Sequence, residues 1–355
     1  MRKNEYFVLG VMSGTSLDGI DIAHLHFHYD ETWNYKILAA ETLAYPEDWK
    51  MTLSEAIFYD DERLHELNKR YTVYLSEVLS DFIAENKIKK IDAICSHGHT
   101  IKHEPENGFT LQIGNRPEVA TLTGQKVVCD FRVQDVELGG QGAPLVPVGD
   151  ELLFPEVQYC LNLGGFANVS TVLEGERIAF DICPVNTVLN YLAEKLDLPY
   201  DKNGEIAASG RTDEVLLEKL NSLPFYAQEP PKSLGIEWVN GNILPLLAGE
   251  KKIPDLLNTY AVHAGIQISR MFDQNPGSKV LVTGGGAFNG FLMEQIKMRA
   301  KNDIFVPASK VVNYKEALIF GFLGVLKLRN EVNVLKSVTG SSKDHSSGVI
   351  YEPQK

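Results

Sequence analysis

Residues 7–22 read FVLGVMSGTSLDGIDI: an apolar run, a turn of glycine and hydroxyl residues, and an exit through two carboxylates. Apolar residues on both sides predict a strand, a tight turn and a second strand. Glycine lets backbone N–H groups approach a ligand closely, and the hydroxyls of Ser13, Thr15 and Ser16 add donors. Gly14, Thr15, Ser16, Leu17, Asp18, Gly19, Ile20 and Asp21 therefore form a candidate cradle for phosphate oxygens. Asp18 and Asp21 are spaced to hold a hydrated Mg²⁺. The segment is not a Walker A loop, because no Gly-Lys-Ser/Thr follows. It is not the Rossmann fingerprint either, because the spacing is wrong and a strand rather than a helix follows. An ordinary Gly/Ser hairpin turn is the bland alternative and stays open at this point.

Two further glycine turns follow strand-like segments. Gly164 and Gly165 come after Gln158–Leu163, and Gly284, Gly285 and Gly286 come after Lys279–Val282. The latter run into a helical segment, Asn289–Lys301, which places N–H groups where they favour anionic or polar atoms. Asp181 closes a third strand, Arg177–Asp181, and is a candidate acid or base. His97, His99 and His103 invite a zinc reading, but Gly98 and Pro105 spoil helical placement and no fourth ligand has metal-like spacing. His24, His26 and His28 alternate along one strand face and read as a solvated sheet edge. Cys183 has no paired histidine nearby and reads as a small packing residue.

The elements that must position these residues alternate in type. Asn34–Ala44 reads as a strand, Leu64–Ala84 as an amphipathic helix, and Ile91–Cys95 as a short strand ending in the loop Ser96–Thr100. The glycine- and proline-rich stretch Leu138–Pro144 is the best candidate for a domain boundary or a crossing at the active site. Gln158–Leu163, a glycine turn and Val169–Leu173 then echo the opening strand–turn–strand. Helices are predicted over Thr187–Leu196, Thr212–Ser222, Leu256–Phe272 and Glu316–Leu328, with a loosely held polar tail after Lys336. The expected division is 1–145 and 146–355.

Composition narrows the classes. The 355 residues suffice for two domains at about 100–200 residues each. A net charge of −13 disfavours nonspecific binding to nucleic acid or anionic membrane. Four scattered cysteines without CxxC spacing fit buried thiols in a reducing compartment rather than a disulfide framework or zinc site. No secretory leader is legible, and no apolar run reaches the roughly 18 residues of a membrane span. A cytoplasmic enzyme is the expectation.

Three strand-end glycine turns plus a strand-end acid suggest a two-domain α/β nucleotide enzyme with its cleft between the domains. That pattern resembles the superfamily of acetate and sugar kinases, actin and heat-shock cognate ATPases. Individual segments narrow the match. Gly10–Asp21, Ser96–Thr100, Leu111–Asn115, Asp130–Arg132, Gly139–Pro147, Asn162–Asn168, Ala207–Arg211, Pro231–Ser233, Thr283–Asn289, Glu316-Ala317 and Ser337–Gly340 resemble, in order, the signatures of the anhydro-N-acetylmuramic acid kinases. The resemblance covers nearly the whole chain.

It implies a duplicated actin-like fold and a kinase using ATP and Mg²⁺. The substrate would be 1,6-anhydro-N-acetylmuramic acid from cell-wall turnover, hydrolysed at the anhydro ring and phosphorylated on O6. By resemblance Asp181 is the base. Gly14 to Asp21 and Gly164-Gly165 are phosphate turns, with Asp18 or Asp21 near the metal, and Gly284 to Gly286 form the nucleotide loop. His97, His99, Thr100, Arg132, Asn162 and Glu316 fall to the sugar, and a homodimer is carried as an expectation. Glu316 is read as starting the last helix, where a carboxylate suits the macrodipole. Some residues depart from the family pattern: Ile182 and Cys183 replace Thr-Gly after Asp181, His99 replaces glutamine, and Val133 and Gln134 replace arginines. A kinase of a related anhydro-sugar, and an actin-fold ATPase or binding module without this sugar, are the alternatives.

Overall fold

In a computed structural model, which describes residues 3–14 and 16–354, the chain divides into two units. One comprises residues 1–154 together with 314–355, the other 155–313. The sequence-based division at 145/146 differs in two ways: residues 146–154 belong to the first unit, with Val148 and Leu153 in its core, and the chain returns to that unit from Tyr314 onward. Among the described residues there are twelve strands: β1 (Glu5–Ser13), β2 (Ile20–Asp30), β3 (Thr32–Leu43), β4 (Ala93–Glu104), β5 (Phe109–Ile113), β6 (Val127–Cys129), β7 (Tyr159–Leu163), β8 (Phe166–Leu173), β9 (Glu176–Pro184), β10 (Lys279–Thr283), β11 (Asp303–Phe305) and β12 (Val349–Tyr351).

The two sheets share one plan. In the first unit β1, β2 and β3 form an antiparallel meander, β4 lies parallel to β1, and β6 lies parallel to β4. In the second, β7, β8 and β9 form the meander, β10 lies parallel to β7, and β11 lies parallel to β10. The strand–turn–strand echo legible in the sequence is thus a duplicated five-strand arrangement. The first unit elaborates it with β5 beside β4 and with β12 beside β6.

Helices cover both faces of the first sheet. The helix Asp61–Glu85 starts on Asp60, whose carboxylate accepts the Arg63 N–H at 2.9 Å, a favourable N-cap. Leu64, Leu67, Tyr71, Leu75, Leu79 and Phe82 repeat every three or four residues and pack with Leu9, Val11, Ile20, Ile22 and Ile94. On the other face Leu318, Phe320, Phe322, Val325 and Leu326 of the helix Ser309–Leu328 pack with Val8, Leu25, Phe27 and Val128. Small residues set that approach: a Cβ on Gly10 would lie 1.9 Å from the Ala317 carbonyl oxygen, and one on Gly324 would lie 2.1 Å from Cys95 Sγ. The second unit has its own core, from Tyr159 and Leu161 through Tyr260 and Ile268 to Val312.

Four expectations change. The Ser96–Thr100 segment is strand, not loop: β4 continues through it because β1 and β5 supply backbone partners, with Ser13 opposite His99 and His99 opposite Ile113. His24, His26 and His28 lie on β2, an interior strand between β1 and β3, with the His26 ring stacked on Phe7 at 4.4 Å; they are not on a sheet edge. The loop Leu138–Pro144 belongs to the first unit rather than to a boundary. The polar tail is held firmly: Asn333 Nδ2 donates to the carbonyls of Leu323 and Ser347, and Ser347 Oγ donates to the Phe131 carbonyl. Among the described residues no helix is long and apolar enough to cross a membrane.

Candidate functional site

In the first unit the turn between β1 and β2 carries the predicted phosphate cradle. Register pairs Ser13 with Ile20 and Met12 with Asp21, so Gly14–Gly19 forms the connection. Thr15 lies outside the described residues. Leu17 adopts φ 60°, an uncommon conformation for a branched side chain and a mark of a turn held by its surroundings. Ser13, at the base of the turn, belongs to a buried chain of hydrogen bonds. Its Oγ lies 2.7 Å from His99 Nδ1 and 2.6 Å from the Tyr45 hydroxyl, which lies 2.5 Å from the Tyr71 hydroxyl. All donors point one way if Tyr71, Tyr45 and Ser13 donate in turn and His99 accepts. Burial supports that arrangement: it lowers the His99 pKa to about 4 and raises Tyr45 to about 12, keeping both neutral. Thr100 Oγ1 accepts from Gln112 Nε2 at 3.4 Å.

Asp21 follows on β2. Burial raises its pKa, the Thr42 hydroxyl at 2.6 Å opposes the rise, and the Asp18 charge adds to it. Asp18 and Asp21 are therefore electrostatic neighbours, although no set of three metal-ligating side chains converges among the described residues. Two carboxylates without a closed cage suit an ion that keeps most of its water.

A second cluster surrounds Arg132. Its Nε donates to His97 Nε2 at 2.8 Å and its Nη1 to the Gly142 carbonyl at 2.6 Å. Burial lowers the guanidinium pKa to about 10, and Glu316 and Asp135 oppose the shift. His97 is buried and neutral: desolvation and then Arg132 hold its pKa well below the usual histidine value. Its Nδ1 sits 2.9 Å from the Gly98 carbonyl, so both ring nitrogens are engaged inside the protein. Glu316 stays open to solvent, yet the protein around it raises its pKa by desolvation, with Arg132 lowering it and Asp21 raising it. Glu316 does not start the last helix. That helix begins at Ser309, and its backbone departs from helical geometry at Tyr314, which places Glu316 in the first turn after the kink.

In the second unit the turn after β7 meets two others. The amides of Val185 and Thr187 donate to the Gly165 carbonyl at 2.8 and 3.2 Å, and Asn186 Nδ2 donates to the Leu163 carbonyl at 3.1 Å. Gly284 has φ 82°, and a Cβ there would lie 2.6 Å from Asn162 Oδ1. Asn162, Gly164, Gly165, Gly284, Gly285 and Gly286 are thus brought together, with Asn162 between the turns.

Asp181 lies on β9, which continues past it to Pro184. A bulge opposite Ala167 and Asn168 leaves Ile182 unpaired; such bulges re-aim side chains. Ile182 and Cys183 both pack into the second unit's core, so these departures from the family pattern are absorbed by packing. Burial raises the Asp181 pKa, and the Leu234 amide, donating to Oδ2 at 2.8 Å, opposes the rise. The Asp181 amide donates to the Lys232 carbonyl at 2.9 Å. The sequence offers Ser13 as a donor to phosphate, but its hydroxyl is engaged inside the protein by Tyr45 and His99; Tyr45, Tyr71, Asn186, Thr187 and Leu234 are not legible as site residues. Asn186 and Thr187 directly follow the Asp181 strand, whereas nothing local marks Leu234, whose contribution is a backbone N–H.

A sheet plan used twice, with glycine turns at strand ends in both units, defines the two-domain α/β class of actin-like ATPases and sugar kinases. The chain belongs to the anhydro-N-acetylmuramic acid kinase family, whose description matches residues 6–353. Proteins named anhydro-N-acetylmuramic acid kinase are similar over nearly full length. The one from Haemophilus influenzae is 33% identical, covering 98% of this chain and 98% of the relative. The one from Pseudomonas syringae pv. tomato is 35% identical, covering 98% and 99%. One from a Shewanella species is 34% identical, covering 96% and 97%.

Proposed function

We propose that this protein is an ATP-dependent kinase of 1,6-anhydro-N-acetylmuramic acid in cell-wall recycling, and that it opens the anhydro ring with water as it phosphorylates O6. The reading rests first on Asp181, a partly desolvated carboxylate whose Oδ2 is fixed by the Leu234 amide. Water is a poor nucleophile at neutral pH, and a carboxylate with a raised pKa is a better proton acceptor than an exposed one. Asp181 takes a proton from water as the water oxygen bonds to the anomeric carbon. The bond from that carbon to O6 breaks, and its electron pair goes with O6. O6 attacks the γ-phosphorus, and the bond to the β,γ-bridging oxygen breaks to release ADP. The product is N-acetylmuramic acid 6-phosphate.

The Gly14–Asp21 turn and the turn of Gly164 and Gly165, whose Gly164 amide is held on the Phe166 carbonyl at 3.2 Å, offer backbone N–H groups to phosphate oxygens, and Gly284–Gly286, with Asn162 beside them, hold the nucleotide. Asp18 and Asp21 would hold Mg²⁺ through retained water, and the ion would offset phosphate charge. Arg132 and Glu316 offer a donor and an acceptor to the sugar. His97 and His99, both buried with ring nitrogens bonded to Arg132 and Ser13, act by fixing those neighbours. The test is ADP release with and without 1,6-anhydro-N-acetylmuramic acid, in the presence of Mg²⁺ and after chelation. Turnover that needs both the sugar and the metal is expected; turnover indifferent to the sugar overturns the reading.

A further inference from the structure

We infer that the C-terminal turn at Thr339 positions Arg132, through Asp135 and Gly142, for its contact with the sugar. The inference rests on the proposed role of Arg132. Thr339 Oγ1 donates to Asp135 Oδ1 at 2.8 Å across 204 residues of sequence. The Gly142 amide donates to Asp135 Oδ2 at 2.7 Å. The Gly142 carbonyl in turn accepts from Arg132 Nη1, whose Nε is held on His97. One carboxylate therefore joins the tail to the peptide group that fixes the guanidinium.

Three observations show this joint to be built rather than incidental. Asp135 is fully buried and Thr339 nearly so; a buried carboxylate depends on its protein donors, because water does not replace them. The backbones clasp on both sides, with the Gln141 amide donating to the Thr339 carbonyl at 2.8 Å and the Ser342 amide to the Leu138 carbonyl at 3.1 Å. The loop also leaves no slack around the carboxylate: a Cβ on Gly140 would lie 2.3 Å from Asp135 Oδ2, and Gly142 adopts φ 66°. His345 Nε2 sits 3.6 Å from Asp135 Oδ1, too far to replace the Thr339 hydroxyl as a donor. Without that hydroxyl, Asp135 turns toward its remaining partners, the Gly142 peptide follows, and the guanidinium loses its fixed angle.

Thr339 and Asp135 are positioning residues, so the test separates positioning from general support. In steady-state kinetics Thr339→Val should raise the KM for the anhydro-sugar by about tenfold, because Arg132 is held less well for the sugar, and leave the KM for ATP within about twofold. Thr339→Ser, which keeps the hydroxyl, should recover most of the difference. Gly140→Ala, which presses on Asp135 from the other side, should give the same sugar-selective change and serves if the valine variant does not fold. Equal effects on both KM values, no effect, or a serine variant no better than valine overturns the proposal. Arg132→Lys is the control: if it leaves the sugar KM unchanged, the reading of Arg132 as a sugar contact fails. If it raises that KM while Thr339→Val does not, only the relay fails.

Discussion

Asp181 shows how one side chain gains its chemistry from its backbone surroundings. Desolvation pushes its carboxyl up, and the Leu234 amide pulls it partly back. General-base work needs the ionised form, so activity is absent while Asp181 is protonated and appears as pH rises through its pKa. That pKa lies above the ordinary carboxylate value, so the acid limb of kcat against pH should fall correspondingly above it. Asp181→Asn should lower kcat by about 10²–10⁴, the usual contribution of a positioned base, while ATP binding measured by calorimetry changes little. Near-wild-type turnover in that variant would remove Asp181 from the mechanism. Replacing Leu234 by proline deletes the opposing N–H donor and should move the acid limb further up in pH. An unmoved limb would mean that another group sets the profile.

At the level of elements, the helix Ser309–Leu328 lies against the first sheet at a distance set by glycine. Gly324→Ala would place a methyl 2.1 Å from Cys95 Sγ and 2.7 Å from its Cβ. Helix and strand must then separate, and overpacking of this kind costs about 1–3 kcal/mol. Urea denaturation should report a loss of that size, partly recovered by adding Cys95→Ala, because the two positions share one contact. Equal midpoints for Gly324→Ala and the parent would show that the interface yields freely. The apolar rows of this helix and of Asp61–Glu85 are legible in the sequence because helical spacing is a local property. So are the hairpin turns, where glycine follows an apolar run. The continuation of β4 through His97 and His99 is not legible, because Gly98 reads as a breaker and the pairing partners, β1 and β5, come from elsewhere in the chain. The firm tail is illegible for a related reason. Thr339 and Ser347 read as solvated polar residues, but they are buried, with hydrogen bonds to Asp135 and to the Phe131 carbonyl far away in the chain. Of the candidate site, the glycine turns and Asp181 stand out by type and place. Leu234 contributes only an amide, which no side-chain pattern announces.

For the whole molecule, the order of the chain predicts an asymmetry between the two units. Residues 155–313 are contiguous and contain every member of their hydrophobic core, from Tyr159 to Val312. The first unit is discontinuous: Ala317 to Leu326 and Val334 supply a large part of one of its two core clusters, and β12 pairs with β6 from beyond residue 348. A fragment of residues 155–313 falls in the size range in which single domains bury enough surface to fold alone. It should show one cooperative urea transition, with near-ultraviolet circular dichroism from its packed aromatic residues. Residues 1–154 alone should not, because the sheet face covered by Leu318, Phe320 and Phe322 would be left open to water. At about 25 cal/mol per Å² of apolar surface, several large side chains uncovered together offset the 5–15 kcal/mol that holds a domain folded. Adding residues 314–355 as a separate chain should restore a cooperative transition to the 1–154 fragment, with a midpoint that rises with peptide concentration. A cooperative transition for 1–154 without that peptide would show that the returning helix is dispensable, and the stability of the first unit would then have to come from the Asp61–Glu85 face alone.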